Sequence, residues 1–169
     1  MSTRSQIRFV DEWEDEDGET HTNRAQVYRH WDGYPEVVLQ TLKNLYETLG
    51  GKGALRDPSY NAANYIFIEK AKYLEREDYP NNLEDQKTKT AVFLGFGIED
   101  PSTGIYGDEE FIYEVRVTER SINEAPDVQV KISDHRGFPT WDGDTEAAFE
   151  EARWQYEGSL DEAIEKFCD

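Results

Sequence analysis

The chain has a single cysteine and no long apolar run, and each shortage excludes a class of protein. Cys168 alone cannot form a disulfide or a cysteine cluster for a metal within one chain. No segment reaches the roughly 18 consecutive apolar residues that a membrane-spanning helix needs. No apolar run of the signal-peptide kind follows Met1. We therefore expect a cytoplasmic protein that is neither secreted nor embedded in a membrane.

Basic residues are also scarce, with 18 Lys and Arg against 37 Asp and Glu and a net charge of −19. Affinity for nucleic acid comes from basic side chains that release counterions from phosphate, so direct nucleic-acid binding is not expected. An acidic surface keeps a protein hydrated in a salty cytoplasm and attracts a basic protein as partner. A second interpretation of the same charge is an acidic mimic of nucleic acid that occupies a basic protein's binding site.

The 169 residues suffice for one domain that buries a core without disulfides, and we predict a single domain over residues 1–169. Apolar residues make up only 37% of the chain, but aromatic residues supply 13% of it, and their large buried areas favour a folded protein. The periodicity of the apolar residues predicts an α+β fold. We expect an antiparallel sheet of about five strands, with about four helices packed mainly on one of its faces.

In the first half of the chain, two strands at 6–10 and 25–30 are expected to form a hairpin around an acidic loop over residues 11–23. A helix is predicted from Glu36 to Leu49, and a second from Pro58 to Glu75, followed by a polar surface loop over residues 78–89. Apolar residues at helical spacing predict the buried stripe of the second helix: Tyr60, Ala63, Phe67, Ala71 and Leu74.

The second half reads as strands followed by helices. Three strands are expected to form an antiparallel meander. The strand at 90–97 has apolar residues on both faces, as in a central strand covered by helices, and those at 110–118 and 128–132 alternate apolar and polar residues. A helix that carries Phe149, Ala152 and Tyr156 is predicted next. Ser159, with Glu162 three residues on, is a capping-box pattern that predicts the start of a last short helix.

One stretch, 27–36, concentrates aromatic, basic and acidic residues where a strand pattern runs into a helix. A repeat of its Trp-Asp-Gly sequence occurs near residue 141, after the third histidine of the chain. These two segments supply the candidate polar site, for which we assign no catalytic role. Its members are Arg29, His30, Trp31, Asp32, Tyr34, His135, Trp141 and Asp142.

Two interpretations of this stretch remain open. In the first it is a structural corner, in which Asp32 caps the following helix, Gly33 adopts a backbone angle that suits glycine, and Trp31 enters the core. In the second, His30, Asp32 and His135 line the pocket of a small hydrolase or transferase, and a histidine serves as general base.

No metal or cofactor is expected. The three histidines have no zinc-motif spacing, and the acidic run lacks the first and last ligands of a calcium loop, where Trp13 and Arg24 stand. Gly95-Phe96-Gly97 is not followed by a helix, as a dinucleotide fingerprint requires, and a serine nucleophile motif is absent.

Two short motifs carry a resemblance. Ser2-Thr3-Arg4-Ser5 and His30-Trp31-Asp32-Gly33-Tyr34-Pro35 resemble a scattered family of small uncharacterised proteins from phage, prophage and haloarchaeal genomes, and residues 95–117 are similar to a second block. The acidic insertion over residues 11–23 departs from the shorter hairpin of that family. The resemblance implies a halophilic archaeal or viral setting and carries over no catalytic residue.

Together these observations predict a non-enzymatic accessory or protein-binding protein of a halophilic archaeon, its virus or a mobile element. The alternatives are the nucleic-acid mimic, directed at a host defence or DNA-binding protein, and the small enzyme that uses the two histidines.

Overall fold

The computed structural model describes residues 2–49, 56–80, 82–100, 108–118, 126–136 and 154–168. These residues form six strands and four helices. The elements in chain order are β1 (Ser5–Glu14), β2 (Thr20–Arg29), α1 (Pro35–Leu49), α2 (Pro58–Glu75), α3 (Gln86–Leu94), β3 (Phe96–Glu99), β4 (Phe111–Thr118), β5 (Asp127–Asp134), β6 (Trp154–Ser159) and α4 (Leu160–Phe167). No helix in the described ranges is long and apolar enough to cross a membrane.

The six strands form one sheet in the order β3-β2-β1-β4-β5-β6. Four of the five neighbouring pairs are antiparallel, and β1 with β4 is parallel. A parallel pair requires a long crossover, which the stretch containing α1, α2 and α3 provides. The predicted α+β class is confirmed, with six strands where about five were expected.

The core lies between the helices and one face of the sheet. Alternate strand residues point to the same face, so Ile7, Phe9 and Val27 lie together on this side and are at most 1% exposed. They share one apolar cluster with α1 residues such as Leu39 and Leu42. This arrangement confirms that the helices pack mainly on one face.

The predicted meander is wrong in its first strand, whereas the antiparallel pairing of the strands predicted at 110–118 and 128–132 is confirmed as β4 with β5. Residues 86–94 form the helix α3, and only Phe96–Glu99 forms a strand, which pairs with β2 at the edge of the sheet instead of with β4. Asp85 caps the helix by accepting a hydrogen bond from the backbone N–H of Thr88, so the chain is helical before the apolar run begins. The cap overrides the strand prediction that the apolar run by itself gives.

The acidic loop is shorter than predicted. β1 continues to Glu14 and β2 begins at Thr20, so most of the 11–23 segment is paired strand. The connection is a tight turn in which the N–H of Gly18 donates to the carbonyl of Asp15, and Gly18 has a φ of +81°. Such a turn followed by a left-handed glycine matches the twist of the strands, which lets the hairpin continue through a run of carboxylates.

The buried face of α2 also differs from the prediction. Tyr60 is 57% exposed and Phe67 is 71% exposed, whereas Asn61 and Glu69 are buried. Polar residues are buried on this side because each finds a partner: Asn61 accepts a hydrogen bond from the Tyr46 hydroxyl at 2.9 Å, and Glu69 pairs with a buried arginine. Counting apolar spacing alone therefore selected the wrong face.

The C-terminal part gives a mixed result. Tyr156 lies in strand β6, so the predicted helix cannot extend to it, while Phe149 and Ala152 lie outside the described residues. The predicted surface loop at 78–89 is replaced by α3 from Gln86 onwards. The capping box of the last helix is confirmed, because the Ser159 hydroxyl accepts from the backbone N–H of Glu162 and the Glu162 carboxylate accepts from the N–H of Ser159.

We predict that Ser159→Ala lowers the free energy of unfolding by about 1 kcal/mol, since the first turn of α4 loses its cap. Chemical denaturation measures this value. Ser59→Ala, at the second residue of α2, is the matched control and should cost less than about 0.5 kcal/mol, because the N-cap Asp57 loses the bond from the Ser59 hydroxyl but keeps the one from the Ser59 backbone N–H. Equal losses in the two variants would contradict the role of the cap.

Candidate functional site

Arg29, the first of the predicted site residues, is the centre of a buried ionic cluster and lies inside the protein. It is 2% exposed, and its Nη1 lies 2.7 Å from Oε1 of Glu69, which is also 2% exposed. The same guanidinium donates to the hydroxyl of Tyr65 at 3.0 Å and, through Nε, to the carbonyl of Trp31 at 2.6 Å. Its charge is thus fully paired, and Arg29 is not presented to a substrate.

The partner carboxylate is shared by two further side chains. The hydroxyl of Thr41, on α1, donates to Oε1 of Glu69. Lys72 approaches the same oxygen at 3.2 Å and donates to the Thr41 hydroxyl at 2.6 Å. Burial alone would raise the pKa of Glu69, but the charges of Arg29 and Lys72 and these hydrogen bonds lower it below its ordinary value. The carboxylate is therefore ionised and holds β2, α1 and α2 together.

His30, Trp31 and Asp32 form the turn after β2. His30 Nδ1 lies 2.8 Å from the Tyr28 hydroxyl, and its ring meets that of Trp31 edge-on at 4.7 Å. Trp31 packs against an apolar cluster between α2, α3 and β3, as predicted. Asp32 is exposed and has a φ of 52°. Asp32, and not Gly33, thus adopts the left-handed conformation, so the prediction for Gly33 is wrong.

Gly33 serves close packing instead. Its N–H donates to the carbonyl of Thr3 at 2.9 Å, and a Cβ placed on it would meet the Ser5 hydroxyl at 2.7 Å. Its carbonyl accepts from the hydroxyl of Tyr113 at 2.7 Å. The two short motifs that carry the family resemblance therefore touch, and they form one corner of the fold.

Tyr34 ends this corner. It is 38% exposed, and its ring lies 6.2 Å from that of Phe111. The Tyr34 carbonyl accepts from the backbone N–H groups of Val37 and Val38, which starts helix α1. The chain thus enters the helix through a backbone acceptor.

His135 lies at the same end of the sheet but not beside His30. One row of register partners runs across four strands: Arg29, Ser5, Phe111 and Asp134. His30 follows Arg29 and His135 follows Asp134, so the backbones of the two histidines are three strand spacings, or about 14 Å, apart. The backbone N–H of His135 donates to Glu110, and burial lowers the pKa of its imidazole. Trp141 and Asp142 lie outside the described residues. Within those residues, the structure does not bring the proposed enzyme's side chains together.

The other face of the sheet carries a charged row that the sequence did not indicate. Six register partners run across all six strands, and their charges alternate in sign from β1 outward to β6: Glu99, Gln26, Arg8, Glu114, Lys131 and Glu157. The first four are at most 8% exposed. At the other end the row borders a cavity of about 340 Å³. In the sequence these residues fall on the polar side of their strands, and a polar side predicts exposure to solvent.

A carboxyl pair closes one end of this face. The side chains of Glu99 and Glu109 hydrogen-bond to each other, and Nε2 of Gln6 donates to both, at 2.8 and 3.3 Å. Burial raises the pKa of Glu99, and the hydrogen bonds from Glu109, Gln6 and Gln26 only partly oppose it. Glu99 therefore binds a proton more readily than an isolated glutamate does.

The acidic hairpin is the most exposed of these features. β1 pairs with β4 only from Ser5 to Val10, and β2 pairs with β3 only from Gln26 to Arg29. Beyond them, residues 11–23 pair only with each other among the described strands, and we call this two-stranded projection the acidic arm. It carries seven carboxylates and no Lys or Arg. Arg56 pairs with Asp11 at 2.9 Å and holds its base.

Contacts between neighbouring side chains order the tip of the acidic arm. Trp13, 39% exposed, stacks on His21 with ring centroids 5.5 Å apart. His21 Nε2 lies 2.6 Å from one oxygen of Asp15, and the other oxygen accepts from the N–H groups of Asp17 and Glu19. The bond from His21, followed by the one from Glu19, lowers the pKa of Asp15.

Asp15, Glu19 and His21 also have ligand atoms within 4.8 Å of one another, which is the spacing that a divalent cation needs. The sequence spacing of these three residues differs from that of a calcium loop, so the calcium-loop pattern does not predict the group. The oxygens of Asp15 already accept hydrogen bonds within the turn, so the geometry is explained without an ion.

No protein-family model, curated protein or solved structure matches this chain. The described residues contain three features that bear on function: an internal ionic cluster, a buried carboxyl pair and an exposed acidic arm.

We predict that Arg29→Met lowers the free energy of unfolding by about 3–5 kcal/mol, because Glu69 is left charged and buried without its main partner. The double variant Arg29→Met with Glu69→Leu should recover most of that loss, since it leaves no unpaired charge. Urea denaturation of the wild type, Arg29→Met, Glu69→Leu and the double variant tests the pair. A double variant no more stable than Arg29→Met would contradict this account.

The contributions of Glu69 and Glu99 to the free energy of unfolding should change with pH in opposite directions. The lowered pKa of Glu69 means that its stabilising effect is present above the unfolded value of about 4.3 and is lost as pH falls through the folded pKa. The raised pKa of Glu99 means that its contribution is present below about 4.3 and is lost as pH rises through the folded pKa.

Accordingly, we expect Glu99→Gln to raise the free energy of unfolding at neutral pH by on the order of 1 kcal/mol, since the amide keeps the hydrogen bond and carries no charge. Glu69→Gln should lower it at neutral pH and have a smaller effect in acid. Denaturation midpoints measured from acidic to neutral pH check both slopes, and slopes of the same sign would refute the assignment.

Proposed function

We propose that this protein is a non-enzymatic binding protein that holds a basic partner protein through the acidic arm, in a halophilic archaeon, its virus or a mobile element. The observation that carries the proposal is the projection of seven carboxylates beyond the sheet on a paired, two-stranded support. The candidate catalytic histidines lie apart, and Arg29 forms a buried ion pair with Glu69. Binding is therefore better supported than catalysis.

The acidic arm has the properties of a recognition element. Its strands stay in register up to Glu14 and Thr20, so the carboxylates are held in fixed relative positions. Fixed charges lose less conformational entropy on binding than charges on a loose loop do. Trp13, partly exposed beside them, offers the kind of aromatic anchor that dominates binding energy at interfaces.

The net charge of −19 supports the same partner. A basic protein is attracted over long range by the whole surface and is then held at short range by the acidic arm. A DNA-binding protein is one member of this class. For such a partner the acidic arm would act as a nucleic-acid mimic, and duplex DNA would compete for the same site.

The test separates the acidic arm from overall charge. Glu14→Gln with Glu16→Gln and Asp17→Asn removes three charges from the arm. The control, Glu75→Gln with Glu77→Gln and Glu165→Gln, removes three exposed charges elsewhere and leaves the same net charge. Both variants are titrated with a synthetic lysine-rich peptide over a series of KCl concentrations.

We expect the arm variant to weaken peptide binding at least about tenfold and to flatten its dependence on salt, while the control changes both only slightly. Trp13→Ser should weaken binding without changing the salt dependence, because it removes no charge. Equal losses in the arm and control variants would show that binding follows net charge alone, and the acidic arm would then not be the site.

A further inference from the structure

The carboxyl pair of Glu99 and Glu109 is a buried group that belongs neither to the ionic cluster around Arg29 nor to the acidic arm. Glu99 is the last residue of β3, and Glu109 lies just before β4. Their residues are only 7% and 4% exposed. Burying a carboxylate is costly unless a proton or a positive charge compensates it, so the surroundings of this pair bear on what it binds.

Among the described residues, the hydrogen-bond partners of Glu99 carry no positive charge. Nε2 of Gln6 donates to it at 2.8 Å, the amide of Gln26 approaches it from β2, and its third partner is the carboxyl of Glu109. Burial raises the pKa of Glu99, and the charge of Asp108 adds to this effect. The negative charge at this position is therefore not balanced by its neighbours.

A further oxygen donor stands beside the pair. Gln26 is the register partner of Glu99, so their side chains are neighbours on the same face of the sheet. Gln26 is fully buried, and its carbonyl oxygen Oε1 accepts no hydrogen bond from the described residues. Buried acceptors without a donor are uncommon in folded proteins, and a cation bound beside the carboxylates would satisfy this one.

The oxygens of the pair are close enough to share one ion. The carboxyls of Glu99 and Glu109 lie at hydrogen-bond distance from each other, and Ca²⁺ holds its oxygen ligands at about 2.3–2.6 Å. Gln6 occupies one acceptor position on each carboxylate, at 2.8 and 3.3 Å. A carboxylate offers two oxygens with about four acceptor positions, so positions remain for a cation.

The type of donor and the burial of the group select the ion. Carboxylate and amide oxygens are hard ligands, which suit Ca²⁺ and Mg²⁺ better than the metals that prefer histidine or cysteine. Mg²⁺ keeps several water molecules in a strict octahedron, whereas Ca²⁺ accepts irregular sets of oxygen ligands. Gln26, Glu99 and Glu109 are at most 7% exposed, which leaves little access for the water that Mg²⁺ retains.

We propose that Glu99, Glu109 and Gln26 bind one Ca²⁺ ion on the second face of the sheet. The two positive charges of the ion match the two carboxylates, and the ion takes the unpaired oxygen of Gln26 as a third ligand. In the sheet β2 and β1 lie between β3 and β4, so the bound ion ties the edge strand to the segment that leads into β4. Calcium thus stabilises this end of the fold.

The experiment is isothermal titration calorimetry of the chelator-treated chain with CaCl₂, at a constant KCl concentration that screens the surface charge. We expect one saturable Ca²⁺ per chain, bound at least about tenfold more tightly than Mg²⁺. The melting temperature should rise with CaCl₂ and rise less with the same concentration of MgCl₂. The absence of saturable Ca²⁺ binding, or equal binding of the two ions, would overturn the proposal.

The double variant Glu99→Gln with Glu109→Gln should weaken Ca²⁺ binding at least about tenfold. Glu99→Gln alone should weaken it as well, and we expect this variant to be more stable than the wild type without calcium, so its loss of binding does not reflect unfolding. Added CaCl₂ should narrow that difference in melting temperature, because the wild type gains more from the ion.

Asp15→Asn with Glu19→Gln is the matched control, because it removes the same number of carboxylates from the exposed group at the tip of the acidic arm. It should leave Ca²⁺ binding within about twofold of the wild type. The variant of the buried pair should in turn leave the binding of the lysine-rich peptide unchanged, so the two proposals fail independently. Equal losses of Ca²⁺ binding in the two double variants would show that surface carboxylates bind the ion, and the buried site would be refuted.

Discussion

The buried ion pair between Arg29 and Glu69 is the interaction on which the remaining structure depends. It joins the end of β2 to α2, and the hydroxyl of Thr41 brings in α1. Through its Nε, Arg29 also fixes the Trp31 carbonyl and hence the turn that leads from β2 into α1. A charged pair of this kind stabilises little by itself, but removing one partner is costly, so it commits the helices to one arrangement on the sheet.

This commitment explains where the exposed surfaces lie. Because Glu69 must face Arg29, the side of α2 that carries Phe67 is turned outward, although its apolar residues have the spacing of a core stripe. α3 leads into β3, which forms the outer edge of the sheet beside β2. The acidic arm is exposed for a different reason, because residues 11–23 pair only with each other among the described strands.

The second face of the sheet shows how an acidic protein accommodates charge inside. From Arg8 to Glu157 the row alternates basic and acidic side chains, so each basic group has an acidic neighbour on an adjacent strand. At one end the carboxyl pair of Glu99 and Glu109 has no such neighbour in the row and shares Gln6 instead. At that end burial favours the protonated form of Glu99, whose pKa is raised.

The sequence by itself determined the local elements: α1 from its apolar period, α4 from the Ser159 capping box, the strands of the first hairpin, and the α+β class. These depend on interactions between residues close in the chain. Only the tertiary structure decided which face of α2 is buried, that β1 lies beside β4, and that His30 and His135 lie apart. The reason is physical, because the partner that makes Glu69 a buried residue is 40 positions away, and no local pattern records it.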